Sequence, residues 1–555
     1  MSATLLELDL TIPPVEAPPA DPLTAITARR RPVVREIVDG LRLAADDPEV
    51  IGLIAHVGGP GPSLAHAQEI ALAVRRFAAA GKATIAWTET FGELGPATVP
   101  YVLGAAFDEV WLQPSGDVGL TGIVAEAVFL KDALAKLGVV PQLSARREYK
   151  NAADTFLADR MTDAHREAAS RLAASAMEHV VSAVAEARSL DQGRVRELVD
   201  LAPLTADQAK EAGLVDRLGY RDEVFADLRR RFGQPQLRYL HRYRRHRLVQ
   251  ARTALERFRK RPAVAIVHGS GNIHLGRGQR RPMSSGSIGS ETLGAALRAA
   301  SADAAVRAVV LRVDSPGGSY VASDTIRREV QRVRASGRPV IVSMGPTAAS
   351  GGYFVSMAAD RIVALPGTLT GSIGVLGGKA VVRDILDKVG VRLDGVAEGT
   401  HARMFSSYQR FSDSEWDRLE EWLDHVYADF TAKVAADRSL SAEETEAVSK
   451  GRVWTGADAR ERGLVDELGG LDRALDLACA HVGLERDEID VRVVPRLGFL
   501  ERFRSPESSE DLPSAAASAR GPGPLGLRGP LDWLTGLFGV PPAGVLTTPV
   551  LWNLR

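Results

Sequence analysis

Short continuous apolar runs alternate along this chain with longer stretches in which apolar residues recur every three or four positions. Val50-Ile51-Gly52-Leu53-Ile54-Ala55 predicts a buried strand, Leu64 to Ala80 has helical spacing, and Ala83 to Trp87 and Val110 to Leu112 predict further strands. Strands separated by helices of this length pair in parallel, because the crossover helix carries the chain back to the same end of the sheet. The expected fold class is α/β, with parallel sheets flanked by helices.

The same pattern occurs twice. HVGGPGPS (56–63) and RVDSPGGS (312–319) each follow a strand, and Tyr101, Asp108 and Gly122 sit in a segment whose counterpart holds Tyr353, Asp360 and Gly374, every pair 252 positions apart. Farther on, TADQAKEAGLVDRLG (205–219) matches TGADARERGLVDELG (455–469). Three ordered matches imply a tandem duplication of one domain. The expected boundaries are a flexible Pro-rich tail over 1–30, a first repeat over 31–238, a basic helical linker over 239–262, a second repeat over 263–500, and a disordered spacer with an apolar C-terminal segment over 501–555.

At 555 residues the chain exceeds what one core usually holds. Its 69 basic and 70 acidic residues nearly cancel, so the molecule as a whole has no bias toward nucleic acid, and any charge preference is local. The basic linker YLHRYRRHRLVQARTALERFRKRP is either a solvated connecting helix or a contact for anionic lipid head groups or an acidic partner. Cys479 is the only cysteine, in a helical apolar run, and reads as a buried core residue with no disulfide partner. The N-terminus lacks a basic stretch followed by an apolar core, and no stretch is long and apolar enough to span a bilayer. A cytoplasmic or peripheral-membrane location is expected.

Ser350 follows the apolar strand Pro339 to Ser343, is flanked by Ala349 and Gly351, and precedes a helical run. A serine at such a turn presents its hydroxyl near backbone N–H groups, as a nucleophile must, although serine is also a good helix cap. The nearby loop Asp314-Ser315-Pro316-Gly317-Gly318-Ser319 reads either as a tight turn or as a place where backbone amides approach a developing oxyanion.

The segments RVDSPGGS, TAASGGYFVSMAAD, TLTGSIGV and GRVWTGADARERGLVDELG, with EYKNAADTFLADRMTDAHREAASR in the first copy, resemble the signature segments of the signal peptide peptidase A (protease IV) family in its long tandem form. The resemblance covers about residues 35 to 490 and implies a tandem fold of the Clp protease and crotonase type. It implies a serine endopeptidase with Ser350 as nucleophile, Lys150 as general base, Ser372 orienting the lysine, and Gly317, Gly318 and Gly351 as oxyanion donors. No metal or organic cofactor is implied. Peptide substrates, cleaved signal peptides among them, and a homo-oligomer, a tetramer in the family, are. Long-form relatives also carry an N-terminal membrane anchor, which this pattern does not show.

Comparison of the repeats adds a separate point. Thr98 aligns with Ser350, Leu120 with Ser372, and Lys150 with Ala402, so the first copy has the lysine without the serines and the second has the serines without the lysine. One site shared between the copies follows. A lysine at its ordinary pKa of about 10.4 is protonated at neutral pH, so Lys150 needs a closed apolar setting to act as a base. His401, near the second copy's vacated lysine position, reads as structural or surface, Glu148 as solvent-facing, and Asp216 and Asp466 as structural caps or ion-pair partners. The alternatives are a crotonase-type acyl-CoA hydratase or isomerase, which would need catalytic carboxylates, and a non-catalytic membrane-associated scaffold.

Overall fold

The computed structural model describes residues 3–16, 31–253, 261–278, 287–494, 546–547 and 553–554. Each half is built on its own sheet. In the first, the strands run in the order Gln236–Tyr239, Thr4–Leu10, Val50–Val57, Ala83–Thr88, Glu109–Leu112 and Arg217–Leu218, all parallel. In the second, Asp490–Val494, Ala263–Ser270, Val306–Ser315 and Val340–Ala349 are parallel neighbours, and the free edge of Val340–Ala349 pairs with Arg361–Ala364 along its first part and with Leu369–Gly371 at its end. Helices such as Leu64–Ala79 and Tyr320–Ala335 cross between the strands and bury their apolar faces on the sheet, so each half has its own core. Strands covered on both faces explain the continuous apolar runs of the sequence.

The duplication extends to individual hydrogen bonds. The buried Tyr101 hydroxyl donates to the Leu214 carbonyl at 2.8 Å, and Tyr353 donates to Leu464 at 3.1 Å. Asp216 accepts from the Val110 N–H and pairs with Arg188, and Asp466 accepts from the Ile362 N–H and pairs with Arg438. Both aspartates tie a strand to a helix.

The flexible tail expected over 1–30 needs correction. Thr4–Leu10 is a strand between Val50–Val57 and Gln236–Tyr239, and Leu5, Leu6 and Leu10 are fully buried. It fills the place that Ala263–Ser270 takes in the second half, so the first repeat begins there. The prolines from Pro13 onward dominate the composition and hide a run, TLLELDL, whose leucines supply an interior strand of the sheet. Residues 17–30 lie outside the described part, as does nearly all of the expected C-terminal spacer. The linker helix Leu240–Thr253 does not stand free in solvent: Leu240 is buried, the Tyr243 hydroxyl donates to Asp47 at 2.7 Å, and Arg244 pairs with Glu36 and Asp39.

Three kinds of contact join the halves. Arg312 of the second half is buried with Glu16 and Glu69 of the first at 2.6 and 2.7 Å, and Glu69 also accepts from the Leu471 N–H. Arg171 reaches across to Asp458 at 2.7 Å, and Ser175 hydrogen-bonds Thr455 at 2.8 Å. Finally, Val140–Arg146 pairs antiparallel with Val375–Val381 over seven residue pairs, a two-stranded ribbon with one strand from each copy.

Candidate active site

The ribbon leads the chain directly into Lys150. The Tyr149 N–H donates to the Lys450 carbonyl at 3.1 Å, and Gly451, at φ +84°, lies flat against Lys150: a Cβ there would stand 2.5 Å from the lysine backbone nitrogen. Gly451 and the backbone of Lys450 were not singled out in the sequence. Their signal is only that Gly451 opens the GRVWTG segment. No side chain other than hydrogen fits where the two copies touch at this point.

Ser350 ends the strand Val340–Ala349 and precedes the short helix Gly351–Ser356. Its backbone is at φ +55°, ψ −113°, a conformation that non-glycine residues rarely adopt and that costs of order 1–3 kcal/mol. The Ser350 N–H donates to the Gly371 carbonyl at 2.8 Å, which helps hold that turn. Ser372 follows Gly371, also with positive φ (+51°), and its N–H donates to Arg452 O at 2.7 Å. Two strained turns thus face each other across adjacent strands.

Lys150 closes the arrangement. Its Nζ lies 2.8 Å from Ser350 Oγ, 3.0 Å from Ser372 Oγ and 3.2 Å from the Ser372 carbonyl. Lys150 is 2% exposed and both serines are fully buried. Burial alone holds the Lys150 amine well below the ordinary lysine range.

The Gly317–Gly318 loop borders the same turn. Both glycines have positive φ, and a Cβ on Gly318 would meet the Ile273 carbonyl oxygen at 2.0 Å. Gly351 packs so closely that a Cβ would lie 2.8 Å from Ser323 Oγ and 3.0 Å from the Gly318 nitrogen. The Gly317 N–H already donates to Ser315 Oγ at 3.2 Å, whereas Gly351 opens a helix, where first-turn N–H groups have no intrahelical acceptor. Leu546–Thr547 lies antiparallel along this loop, Gly318 opposite Leu546 and Gly317 opposite Thr547. Of the remaining candidates, His401 hydrogen-bonds Ser414 at 3.3 Å, and Glu148 is exposed, with Lys450 Nζ at 3.8 Å. Cys479 is buried.

Two parallel-sheet halves that share a buried amine and a strained serine define a serine hydrolase of the peptidase type. Comparison with known proteins agrees: the model of Peptidase family S49 matches residues 76–234 and 332–485, one segment in each repeat, and the chain belongs to that family. It is similar to Protease 4 of Salmonella typhi, at 32% identity over 467 residues, 82% of this chain and 73% of that protein. It is also similar to the chloroplastic serine protease SPPA of Arabidopsis thaliana, at 30% identity over 500 residues, 90% of this chain and 72% of that one. Among solved structures, a mutant of ClpP1 from Listeria monocytogenes aligns over 38% of this chain and 94% of its own, with 15% identity and a TM-score of 0.25. The chain is a serine peptidase, acts on peptides, and has the tandem α/β architecture of its family. Among the described residues, no helix is long and apolar enough to cross a membrane.

Proposed function

We propose that Ser350 is the nucleophile and Lys150 its general base, in one Ser-Lys site per chain assembled between the copies. The observation that carries this is the 2.8 Å approach of Lys150 Nζ to Ser350 Oγ in a position closed to solvent. A neutral amine has two N–H donors and one lone pair, and the site offers three partners. The Ser372 carbonyl and hydroxyl accept the two N–H bonds, which leaves the lone pair for the Ser350 proton. Ser372 is therefore a positioning residue.

In the reaction, Ser350 Oγ attacks the peptide carbonyl carbon as its proton passes to Lys150 Nζ. Collapse of the tetrahedral intermediate breaks the C–N bond, and the protonated lysine returns that proton to the leaving amine. Water, deprotonated by the same amine, then hydrolyses the ester and restores Ser350. The N–H groups of Gly318 and Gly351 are the best-placed oxyanion donors, since Gly317 is engaged by Ser315. A substrate strand would add antiparallel to Gly317–Gly318, as Leu546–Thr547 does, reading by main-chain hydrogen bonds before any side chain is chosen. Cleaved signal peptides, extended and apolar, suit that mode. The working unit is the pair of repeats, acting as a homo-oligomer in the cytoplasm or at a membrane surface.

The test is hydrolysis of unstructured fluorogenic peptides by the full chain beside Ser350→Ala and Lys150→Ala. Both substitutions are expected to abolish turnover, and wild-type rates in either variant would refute the dyad.

A further inference from the structure

One side chain touches the neighbours of both Lys150 and the serine turns. Arg452 follows Gly451 in the second copy, and its carbonyl accepts the Ser372 N–H at 2.7 Å. Its guanidinium stands over two rings, 5.0 Å from the centroid of Tyr149 and 4.4 Å from that of Trp454. Tyr149 immediately precedes Lys150 in the first copy. Trp454 packs on the turn of the second: a Cβ on Gly371 would meet its Cδ1 at 2.7 Å, and the Gly371 carbonyl is the one that accepts the Ser350 N–H. A line of contacts therefore runs from the lysine segment, through one guanidinium, to the turn that carries Ser372 and holds Ser350.

Arg452 also donates to Glu167 of the first copy at 2.8 Å, but the Glu167 side chain is 51% exposed, and so wet an ion pair contributes little by itself. The stack holds better. The Arg452 side chain is only 15% exposed, and a planar, weakly hydrated guanidinium over aromatic faces gains attraction as water is excluded. Its Nε is nevertheless buried with no hydrogen-bond acceptor among the described residues, which costs stability. A side chain placed for stability alone would not carry that cost.

The duplication supplies a control here too. Where the second copy has Arg452 and Trp454 the first has Ala202 and Leu204, and where the first has Tyr149 the second has His401. The parts of the stack are thus divided between the copies in the same way as Lys150 and the serines, and they meet only beside the one complete site. We propose that Arg452 is a positioning residue of the peptidase: by joining Tyr149 to Trp454 across the copies, it fixes the Lys150 amine against the Ser372 turn. Its role rests on the Ser-Lys reading, which says what is being held. The guanidinium itself stays charged and gives up no proton in the reaction. Without it the lysine segment can draw back from Ser372 and let water in, and a wetted amine is protonated at neutral pH.

The test follows hydrolysis of a fluorogenic peptide by the full chain from neutral to alkaline pH. Arg452→Met, which keeps the aliphatic bulk, is expected to lower kcat about 10-fold near neutral pH with little change in KM. The rising limb of its pH profile should move up toward the ordinary lysine range, so that the loss shrinks as the pH rises. Arg452→Lys keeps the charge without the planar face and should restore only part of both; it carries the same readout if Arg452→Met does not fold. Tyr149→Leu should reproduce the shift, and the double variant should be scarcely worse than either single one. A limb that stays at its wild-type position in the Arg452 variants, whatever their rates, would overturn the proposal, as would losses at Arg452 and Tyr149 that simply multiply. Failure of the dyad itself reads differently, since Lys150→Ala would then hydrolyse the peptide as fast as wild type.

Discussion

The turn at Thr98 and the turn at Ser350 occupy the same place in the two copies, yet their hydroxyls are used differently. Thr98 Oγ1 donates to the Gly122 carbonyl at 2.8 Å and accepts from the Gly122 N–H at 3.1 Å, so its hydroxyl is used up in closing its own loop. Leu120, in the place of Ser372, is fully buried in the first core. At the second turn the hydroxyl makes no such closure, the backbone is strained to φ +55°, and a lysine from the other copy completes the group. The fold alone therefore does not make the site. What the proposed site needs besides is a strained serine whose hydroxyl meets a buried amine that the same copy does not supply.

Substitutions at the two turns should separate these contributions. The largest effect is expected for Ser350→Ala, with turnover falling about 10³-fold or more at an unchanged melting temperature, measured by peptide hydrolysis beside calorimetry; adding Thr98→Ser to that variant should restore nothing. Lys150→Met should lose about as much activity while becoming more stable near pH 7. The unfolded chain binds a proton on this lysine below about pH 10.4, whereas burial makes the folded chain bind it less tightly, so folding is penalised until the pH approaches that value. Removing the amine should raise stability at neutral pH, and the pH-dependent part of the difference between the denaturation curves should disappear above about pH 10.4. In the wild type the same depression predicts that kcat/KM rises with pH through a value below the ordinary lysine range.

A smaller loss, about 10²-fold, is expected for Gly451→Val, which pushes on the Lys150 backbone across the joint; an unaffected rate would show that the lysine is positioned by its side-chain partners alone. Ser372→Ala should cost about 10-fold and move the rising limb of the pH profile, whereas Ser372→Thr should recover part of both. The smallest effect belongs to the first copy: Thr98→Ala should leave hydrolysis unchanged and reduce stability by about 1 kcal/mol, read from urea unfolding.

The parallel sheets were legible because buried strands and crossover helices write themselves as apolar runs and helical periods. The complementary loss of Lys150 and Ser350 was legible because a duplication lets each copy serve as a control for the other. The N-terminal strand was not, since four leucines beside a run of prolines look like a tail until a gap between two strands of the sheet needs filling. Nor was the seating of Lys150 against Gly451, which depends on two segments 300 residues apart touching where only hydrogen fits. The ion pairs of Arg312 were hidden for the same reason: Glu16, Glu69 and Arg312 have no local pattern in common, and only the joint brings them together. The ribbon register emerged only once the strand pairing was known.

Dividing one site between the ends of a 200-residue interval has a consequence during synthesis. The lysine leaves the ribosome first and, with nothing yet covering it, is an ordinary solvated cation. At about 5–20 residues per second the serine follows roughly 10–40 seconds later, and the amine is taken out of water only when the second half closes over it. With the proposed dyad, a half-made or prematurely ended chain holds no working protease, and proteolytic competence arrives with completion of the fold.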